Sequence, residues 1–215
     1  MRTRAALLDA ATEVFLRDGY AAAARRRGGT GGAGPRRLLV PGRRDARREE
    51  IVAVAGVTRG ALYHHFANKR DLFRGVVERM QVETEETLAA IEGSDPWESF
   101  TAAVLASLDV VYDPAIRRLL LIEAPAVLGW AEVREGHRKN TIMITERALR
   151  AIARRSGEPA PQSSALAHMI VAAVEEAMLY LAHSDDPIRE RPEVQAQLLQ
   201  LLEGVRRPAP VQESA

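Results

Sequence analysis

Cysteine is absent from this chain of 215 residues. Without a thiol the chain can form no disulfide, no cysteine-based zinc site and no cysteine nucleophile. Aromatic residues are also scarce, at 5% of the sequence, so leucine, valine, isoleucine and alanine must fill most of a hydrophobic core. These absences exclude a disulfide-stapled fold and fit a reducing compartment.

Long uninterrupted apolar runs are missing as well. The most apolar later stretch, residues 171–182, contains Glu175 and Glu176, whereas a membrane-spanning helix needs about 20 consecutive, predominantly apolar residues. The chain opens Met-Arg-Thr-Arg and continues as an amphipathic helix, which differs from the apolar centre of a signal peptide. We therefore expect a cytoplasmic protein with no membrane partner.

Charge is unevenly distributed, although the net charge is only +1. Residues 1–80 carry 17 Lys and Arg against 8 Asp and Glu, while residues 81–215 carry 13 against 21. A basic first third followed by an acidic remainder indicates one module that faces a polyanion and one that does not. Chance segregation of charge is the alternative interpretation.

Apolar residues recur with a helical period along most of the chain, and no segment shows a convincing strand pattern. We therefore predict an all-α fold with a three-helix domain over 1–80, a helical bundle over 81–207 and a disordered tail over 208–215. The predicted helices cover 3–18, 48–55, 59–65, 69–91, 95–112, 113–125, 126–155, 161–183 and 192–205.

Residues 22–48 break this regularity. A low-complexity run of Arg and Gly extends from Ala24 to Pro35, and basic residues continue to Arg48. A Gly-x-Gly-x-x-Gly pattern at 29–34 follows three arginines instead of a strand, so low complexity explains it better than a dinucleotide site does. We predict an irregular basic loop here.

The segment from 51 to 73 carries the most informative pattern. It is typical of a helix, a tight turn at Gly56, a second helix capped by Thr58 and a third helix capped by Asn68. This is the layout of a DNA-reading helix-turn-helix. Gly60 keeps the front of the second helix slim enough to approach the edge of a groove.

On these residues the sequence resembles the TetR (tetracycline-repressor-like) family. The match covers about residues 3–21 and 49–80, and beyond them it is one of architecture. The resemblance implies a homodimeric, ligand-responsive repressor that binds a near-palindromic operator in double-stranded DNA. Its second domain would bind a small-molecule effector of unknown identity. The matching residues are the opening helix with Asp18-Gly19-Tyr20, then Ala55-Gly56-Val57-Thr58-Arg59-Gly60-Ala61-Leu62-Tyr63-His64-His65-Phe66, Asn68-Lys69 and Leu72-Phe73.

The resemblance also implies which side chains face DNA. Arg59 and Thr58 are expected at base edges, since a guanidinium pairs bidentately with guanine. Tyr63, His64 and Lys69 are expected mainly at backbone phosphates. For Tyr63 and His65 the alternative role is packing within the small domain. The predicted DNA-binding set is Thr58, Arg59, Gly60, Tyr63, His64 and Lys69.

The second domain offers two sets of candidate residues, and plain core packing is the alternative for both. Candidates for an effector pocket between helices are Phe100, Val104, Leu108, Glu123, Trp130, His137, Met143 and Met169. Candidates for a four-helix dimer seam are Leu166, Ile170, Ala173, Val174, Ala177, Met178, Leu181, Leu198 and Leu202. No cofactor, metal site or catalytic residue is expected, because no ligand spacing or nucleophile motif supports one.

One departure from the family lies at 22–48, where roughly 25 extra residues separate the first two helices in a domain that normally has short connections. Three explanations stay open: a disordered insertion, a basic arm that touches phosphates or the minor groove, or a paired reading-frame error in a GC-rich gene. An insertion that disorders the DNA-binding domain would leave a helical ligand-binding or interaction protein without DNA recognition. After a DNA-binding regulator and a ligand-binding or interaction protein, a helical-bundle enzyme is the third functional class that we consider.

Overall fold

The computed structural model describes residues 2–20 and 46–206, with side chains at 2, 46–48 and 136–139 left out, and all regular structure in these ranges is helical. The all-α prediction is confirmed. Most of the predicted insertion and the predicted tail lie outside the described residues. The helices are α1 (Arg2–Asp18), α2 (Ala46–Val54), α3 (Arg59–His65), α4 (Lys69–Ala89), α5 (Pro96–Ser107), α6 (Pro114–Arg117), α7 (Ala124–Leu128), α8 (Trp130–Ser156), α9 (Ala165–His183) and α10 (Pro187–Arg206), with a 3-10 turn at Leu108–Tyr112 and a π-helical turn at Arg118–Glu123.

The chain divides into two compact units. Unit 1 comprises Met1–Gln81 and Arg118–Val133, and unit 2 comprises Val82–Arg117 and Arg134–Ala215. The first boundary lies one residue from the predicted boundary between residues 80 and 81. The segment Arg118–Val133, here called the return segment, rejoins unit 1 after the chain has entered unit 2. Periodicity along a sequence does not predict such a return, because it carries no information about distant packing partners.

The core of unit 1 joins the apolar faces of α1, α3 and α4. Phe15 and Phe73 are fully buried, and their rings meet edge to face with 5.2 Å between centroids, a favoured aromatic geometry. Tyr20 follows α1 and packs 4.7 Å from the Phe73 ring. Leu62 and Phe66, at 3% and 4% exposure, attach α3 to this core. The predicted apolar stripes of α1 and α4 are therefore the faces that hold α3 in place.

Unit 2 has its own hydrophobic core, to which α5, α8, α9 and α10 contribute. Leu108 and Leu181 are completely buried there, and burying a leucine side chain contributes roughly 1.5–3 kcal/mol. Each unit thus has buried apolar residues of its own. The other buried members are Phe100, Val104, Val111, Leu149, Ala167, Ile170, Leu198 and Leu202.

Three helices begin at an Asp-Pro pair. Asp95 before α5 and Asp113 before α6 each accept two backbone N–H groups of their helix at 2.8–3.0 Å, as the sequence predicts. Asp186 accepts a backbone N–H of α10 at 3.1 Å, so α10 begins at Pro187. The predicted start at Pro192 is wrong. Pro192 lies inside α10 and is exposed.

Two further helix boundaries differ from prediction. The helix predicted over 95–112 changes from α to 3-10 geometry at Leu108. The helix predicted over 126–155 is divided at Gly129, where a φ of 86° ends α7. Trp130 then begins α8, which continues without a break to Ser156. A glycine with positive φ is a common helix terminator, and here Gly129 separates α7 from α8 within the return segment.

Candidate nucleic-acid interface

Helix α3 has one buried face and one exposed face. The buried face consists of Leu62 and, just past the helix, Phe66. On the opposite side, Tyr63 exposes 42% of its surface, which argues against a purely packing role for it. The exposed residues are Thr58, Arg59, Gly60, Tyr63 and His64. The structure thus brings together five of the six residues predicted to face DNA.

Local chemistry fixes where α3 begins. Gly56 adopts a φ of 63° after α2, which reverses the chain at the predicted turn. Thr58 has extended backbone geometry, and its hydroxyl accepts the N–H of Ala61 at 3.3 Å. A Cβ on Gly60 would meet only the Thr58 hydroxyl, at 3.9 Å. The front of α3 is therefore capped, slim and open to an incoming surface.

The exposed face of α3 carries several hydrogen-bond donors. The Arg59 guanidinium lies 5.8 Å from the centroid of the Tyr63 ring, one helical turn away, within the range of a cation–π contact. The rings of His64 and His65 lie 5.1 Å apart, and His65 is half-buried. A guanidinium, a phenol and an imidazole on one face suit base edges and phosphate oxygens.

Lys69 lies at the start of α4 and is engaged within unit 1. Its ammonium donates to the carbonyl oxygen of Tyr20 at 2.7 Å and lies 4.2 Å from the centroid of the Tyr20 ring. It thereby joins the end of α1 to the beginning of α4. An ammonium has three donors, so the hydrogen bond to Tyr20 does not by itself exclude a phosphate contact. That contact by Lys69 stays a prediction.

The return segment binds the end of α1. The Tyr20 N–H donates to the Glu123 carboxylate at 2.7 Å, and the Arg118 guanidinium donates to the carbonyl of Leu16 at 2.7 Å. A Cβ on Gly19 would lie 2.6 Å from Oε1 of Glu123. Glu123 and Lys69 therefore hold the two sides of the Tyr20 backbone, the first through its N–H and the second through its carbonyl.

The return segment also binds α4. Arg70 donates to the carbonyl of Leu128 at 2.9 Å and to the Glu132 carboxylate at 2.7 Å. Arg74 donates to the other oxygen of Glu132. The hydrogen bond from Arg74, and after it that from Arg70, lowers the pKa of Glu132 below its ordinary value. These contacts fix α7 and the start of α8 to the helix that follows α3.

Six predicted pocket residues lie in unit 2, and the five whose side chains are described do not share one environment. Phe100, Val104 and Leu108 lie together in the core. Met143 and Met169 expose 41% and 62% of their surfaces. A common pocket for all five stays a prediction.

Of the other three pocket candidates, His137 alone lies in unit 2. Glu123 and Trp130 belong to unit 1, where Glu123 binds Tyr20 and Trp130 is 48% exposed. The side chain of His137 lies outside the described residues.

Sequence reasoning missed a buried carboxylate in unit 2. Glu85 on α4 is 6% exposed and accepts hydrogen bonds from Asn140 and from the Thr141 hydroxyl, the latter at 2.9 Å. No apolar stripe marks position 85, so only packing against α8 reveals it. A buried carboxylate is a polar group that can orient a ligand.

The predicted dimer residues lie on α9 and α10. Ile170, Leu181, Leu198 and Leu202 are buried, and the other five are half-buried around the core. A groove of about 490 Å³ runs along these helices. Its lining includes Ala173, Ala177, Tyr180, Val194, Leu198 and Leu201.

Four large apolar side chains are exposed on α9 and α10. Met169, Tyr180, Ile188 and Leu201 each expose between 58% and 62% of their surfaces. By length and composition α9 could cross a membrane, a test that the core helix of a water-soluble protein also passes, and 28% of its apolar window is buried. Exposed apolar area of this kind marks an interaction surface.

Comparison with protein families gives two matches. The model described as "Tetracyclin repressor-like, C-terminal domain" matches residues 97–205. The model described as "Bacterial regulatory proteins, tetR family" matches residues 45–76. Together they cover α2, α3 and the start of α4, and then the chain from α5 through most of α10, the return segment included.

Curated relatives point the same way. The chain is 33% identical over 112 residues to the uncharacterized HTH-type transcriptional regulator TtgW of Pseudomonas putida, a match over 52% of this chain and 65% of that protein. It is 34% identical over 64 residues to the HTH-type transcriptional repressor BepR of Brucella suis, over 28% of this chain and 31% of that protein. The chain thus spans less than two thirds of the length of these relatives.

A solved structure matches over almost the whole length. The crystal structure of a TetR-family transcriptional regulator from Pectobacterium atrosepticum is 31% identical, covers 94% of this chain and 93% of its own, and superposes with a TM-score of 0.71. A regulator from Syntrophomonas wolfei shares the fold at 12% identity, with a TM-score of 0.63 and 98% coverage of both chains.

Proposed function

The chain belongs to the tetR family of bacterial regulatory proteins, and from this premise we propose that it is a DNA-binding transcriptional regulator whose α3 enters the major groove. The observation that carries the proposal is the exposed face of α3, which is held by a buried face on a rigid core. Family membership supports the assignment, because relatives of this chain are named as transcriptional regulators and repressors.

Residue roles follow from the chemistry of the exposed face. Arg59 near the start of α3 reads a guanine through its paired donors. Tyr63 and His64, further along, bind phosphate oxygens and set the register of the helix on the duplex. Gly60 lets the backbone approach the groove edge because it adds no side chain. The Thr58 hydroxyl caps the N-terminus of α3.

The proposed regulator is a homodimer joined through α9 and α10. The groove along these helices, with the exposed Tyr180 and Leu201 in its lining, supports this assignment, because a second copy would cover both side chains. Two copies of α3 would then enter successive major grooves, about 34 Å apart, on a near-palindromic operator. Burial of this surface between subunits also explains why α9 is so apolar.

Unit 2 is proposed to bind a small-molecule effector that releases the operator. A ligand that stabilises a conformation with unsuitable spacing of the two α3 helices shifts the population away from DNA binding. A hundredfold change in operator affinity requires about 2.7 kcal/mol of coupling. The return segment is joined in sequence to unit 2 at both ends and contacts α1 and α4 through Glu123 and Arg70. We assign the chain to the cytoplasm and assign it no enzymatic activity.

Binding of labelled duplex DNA tests the function. Wild-type protein is used to select a duplex from a randomised pool, and fluorescence anisotropy then compares that duplex with a scrambled one of equal length. Arg59→Ala should reduce the preference for the selected duplex by about 1–3 kcal/mol, because the base contact is lost.

Arg154→Ala is the matched control for that experiment, since Arg154 is an exposed arginine in the last turn of α8. It should retain the wild-type preference. If the wild-type protein shows no salt-sensitive binding to any duplex, the proposal fails and a ligand-binding or interaction protein without DNA recognition replaces it.

A further inference from the structure

Arg4 lies near the carboxyl end of α3, the helix that we propose enters the major groove. Its guanidinium carbon is 5.4 Å from the centroid of the Phe66 ring, and Phe66 is the residue that ends α3. Phe66 is 4% exposed, whereas Arg4 on the first turns of α1 is exposed. The ring therefore offers a fixed platform to a charged group that faces solvent.

Gly75 on α4 makes this platform possible. A Cβ at that position would lie 3.1 Å from Cε1 of Phe66, 3.1 Å from Cδ2 of Leu8 and 3.7 Å from Nη2 of Arg4. Since contacts at 3.1 Å are tight, a side chain on Gly75 would push the ring or α1 away. Three helices thus position one guanidinium beside the end of α3.

Arg4 differs from other arginines of unit 1 in its ion-pair partners. Arg17 pairs with Asp18 and Glu50, and Arg79 pairs with Asp9. Within residues 2–20 and 46–206, no carboxylate forms an ion pair with Arg4. The guanidinium beside Phe66 therefore has N–H donors that no carboxylate of these residues accepts, and such a fork of donors suits a phosphate.

The position also fits the dimensions of a duplex. Helix α3 has 7 residues, and at 1.5 Å per residue it spans about 10 Å. The major groove is about 12 Å wide. If the Arg59 end of α3 reaches bases or one wall of the groove, a cation beyond the opposite end lies near the other phosphate backbone.

We propose that Arg4 is a phosphate-binding residue of the DNA interface, held in place by Phe66 and Gly75. The inference rests on the proposed function and adds a contact from α1, outside the helix-turn-helix. Its chemistry is a guanidinium held beside an aromatic ring, which binds one backbone phosphate of double-stranded DNA per subunit. Such a contact contributes affinity and salt dependence without sequence preference.

Salt-dependent DNA binding by the full chain tests the proposal, with Arg4→Gln, Arg4→Lys and the control Arg154→Gln, which removes the same charge from α8. Anisotropy is measured on the selected and the scrambled duplex between about 50 and 200 mM salt. Arg4→Gln should lower the slope of log K against log salt by about 0.9 per subunit on both duplexes. Arg4→Lys should keep most of the slope, and Arg154→Gln all of it.

The outcomes separate this proposal from the function on which it rests. If wild-type protein binds DNA and Arg4→Gln keeps the wild-type slope, Arg4 only stabilises unit 1 and the proposal is overturned. A loss confined to the selected duplex also overturns it, because a phosphate contact acts on both. If wild-type protein binds no duplex, the proposed function itself fails, and the Arg4 contact with it.

A second measurement covers the case in which Arg4→Gln fails to fold. Wild-type protein is treated with phenylglyoxal, which modifies accessible arginine side chains, with and without the selected duplex. Mass spectrometry should show Arg4 protected by DNA and Arg154 modified equally in both samples. Equal modification of Arg4 with and without DNA overturns the proposal.

Discussion

Gly19 shows how a single residue ties the end of α1 to the return segment. It adopts a φ of 74°, and the Glu123 carboxylate lies where a Cβ would point. The same carboxylate accepts the N–H of Tyr20. Glycine is therefore required here for two reasons, the backbone conformation and the close approach of an acid.

Gly19→Ala is expected to destabilise the protein more than Gly56→Ala. Both alanines suffer the left-handed backbone, which costs about 1–2 kcal/mol. At Gly56 no atom lies within 4 Å of the added Cβ, whereas at Gly19 the Cβ displaces Glu123 from Tyr20. Urea unfolding of both variants measures the difference, and equal losses of unfolding free energy would contradict this account.

At the scale of helices, the ion pairs between α4 and the return segment meet at one carboxylate. Glu132 binds Arg70 and Arg74 together, and its side chain is 34% exposed. Both arginines lie in the first two turns of α4, the helix that follows α3. The helix that follows α3 is therefore joined to the start of α8 by a small ionic network, which a change in the return segment would disturb.

Glu132→Gln should lower stability near pH 7 and lose this effect in acid. A pKa held below the ordinary value of 4.5 by the arginines means that folding favours the charged form. Its stabilisation is present above that value and disappears as pH falls through the folded-state pKa. Solvent screening limits it to about 1 kcal/mol. Urea unfolding of the variant and of wild type between pH 7 and pH 3 measures the gap.

The matched control for that titration is Glu146→Gln, which removes the partner of Arg150 four residues along α8. Such a pair within one helix contributes at most about 0.5 kcal/mol, so this variant should stay close to wild type at neutral pH. A Glu132→Gln gap that remains constant down to pH 3 would show that the ionic network does not carry the difference.

At the scale of the whole molecule, the basic first third and the acidic remainder have separate tasks in the proposed dimer. Unit 1 presents α3 and Arg4 to a polyanion, while unit 2 offers the apolar surface of α9 and α10 to a second copy. Since operator affinity depends on two half-sites, loss of the dimer should weaken DNA binding even when α3 is intact.

Leu201→Arg is expected to separate the subunits without unfolding them. Leu201 is 62% exposed, so a charge there costs little in one chain but is costly when buried between two. Sedimentation at micromolar concentration should give the mass of one chain, and anisotropy should show weaker binding to the selected duplex.

Val82→Arg adds the same charge to a residue that is 48% exposed on α4 and should leave the mass and the DNA affinity unchanged. A Leu201→Arg protein that sediments as a dimer would move the seam away from α10.

Particular residues show what could be predicted. The pattern around Gly56, Thr58 and Leu62 predicts both the turn and α3, because caps and apolar spacing act over a few residues. The Asp186-Pro187 start carries the same signal as the Asp-Pro pairs before α5 and α6, although the prediction placed that helix later. The engagement of Lys69 with Tyr20 has no local signature, since its partner lies 49 positions earlier in the chain.

The amino-acid sequence by itself determined the all-α class, most of the helices, the caps of α3, α5 and α6, the exposed face of α3 and the resemblance of the chain to its family. Only the tertiary structure decided that Arg118–Val133 packs with unit 1, that Glu123 holds Tyr20, that Glu85 is buried and that Arg4 stacks on Phe66. The physical reason is range: hydrogen bonds within helices and turns join near neighbours, whereas packing, ion pairs and stacking join residues whose separation along the chain is arbitrary.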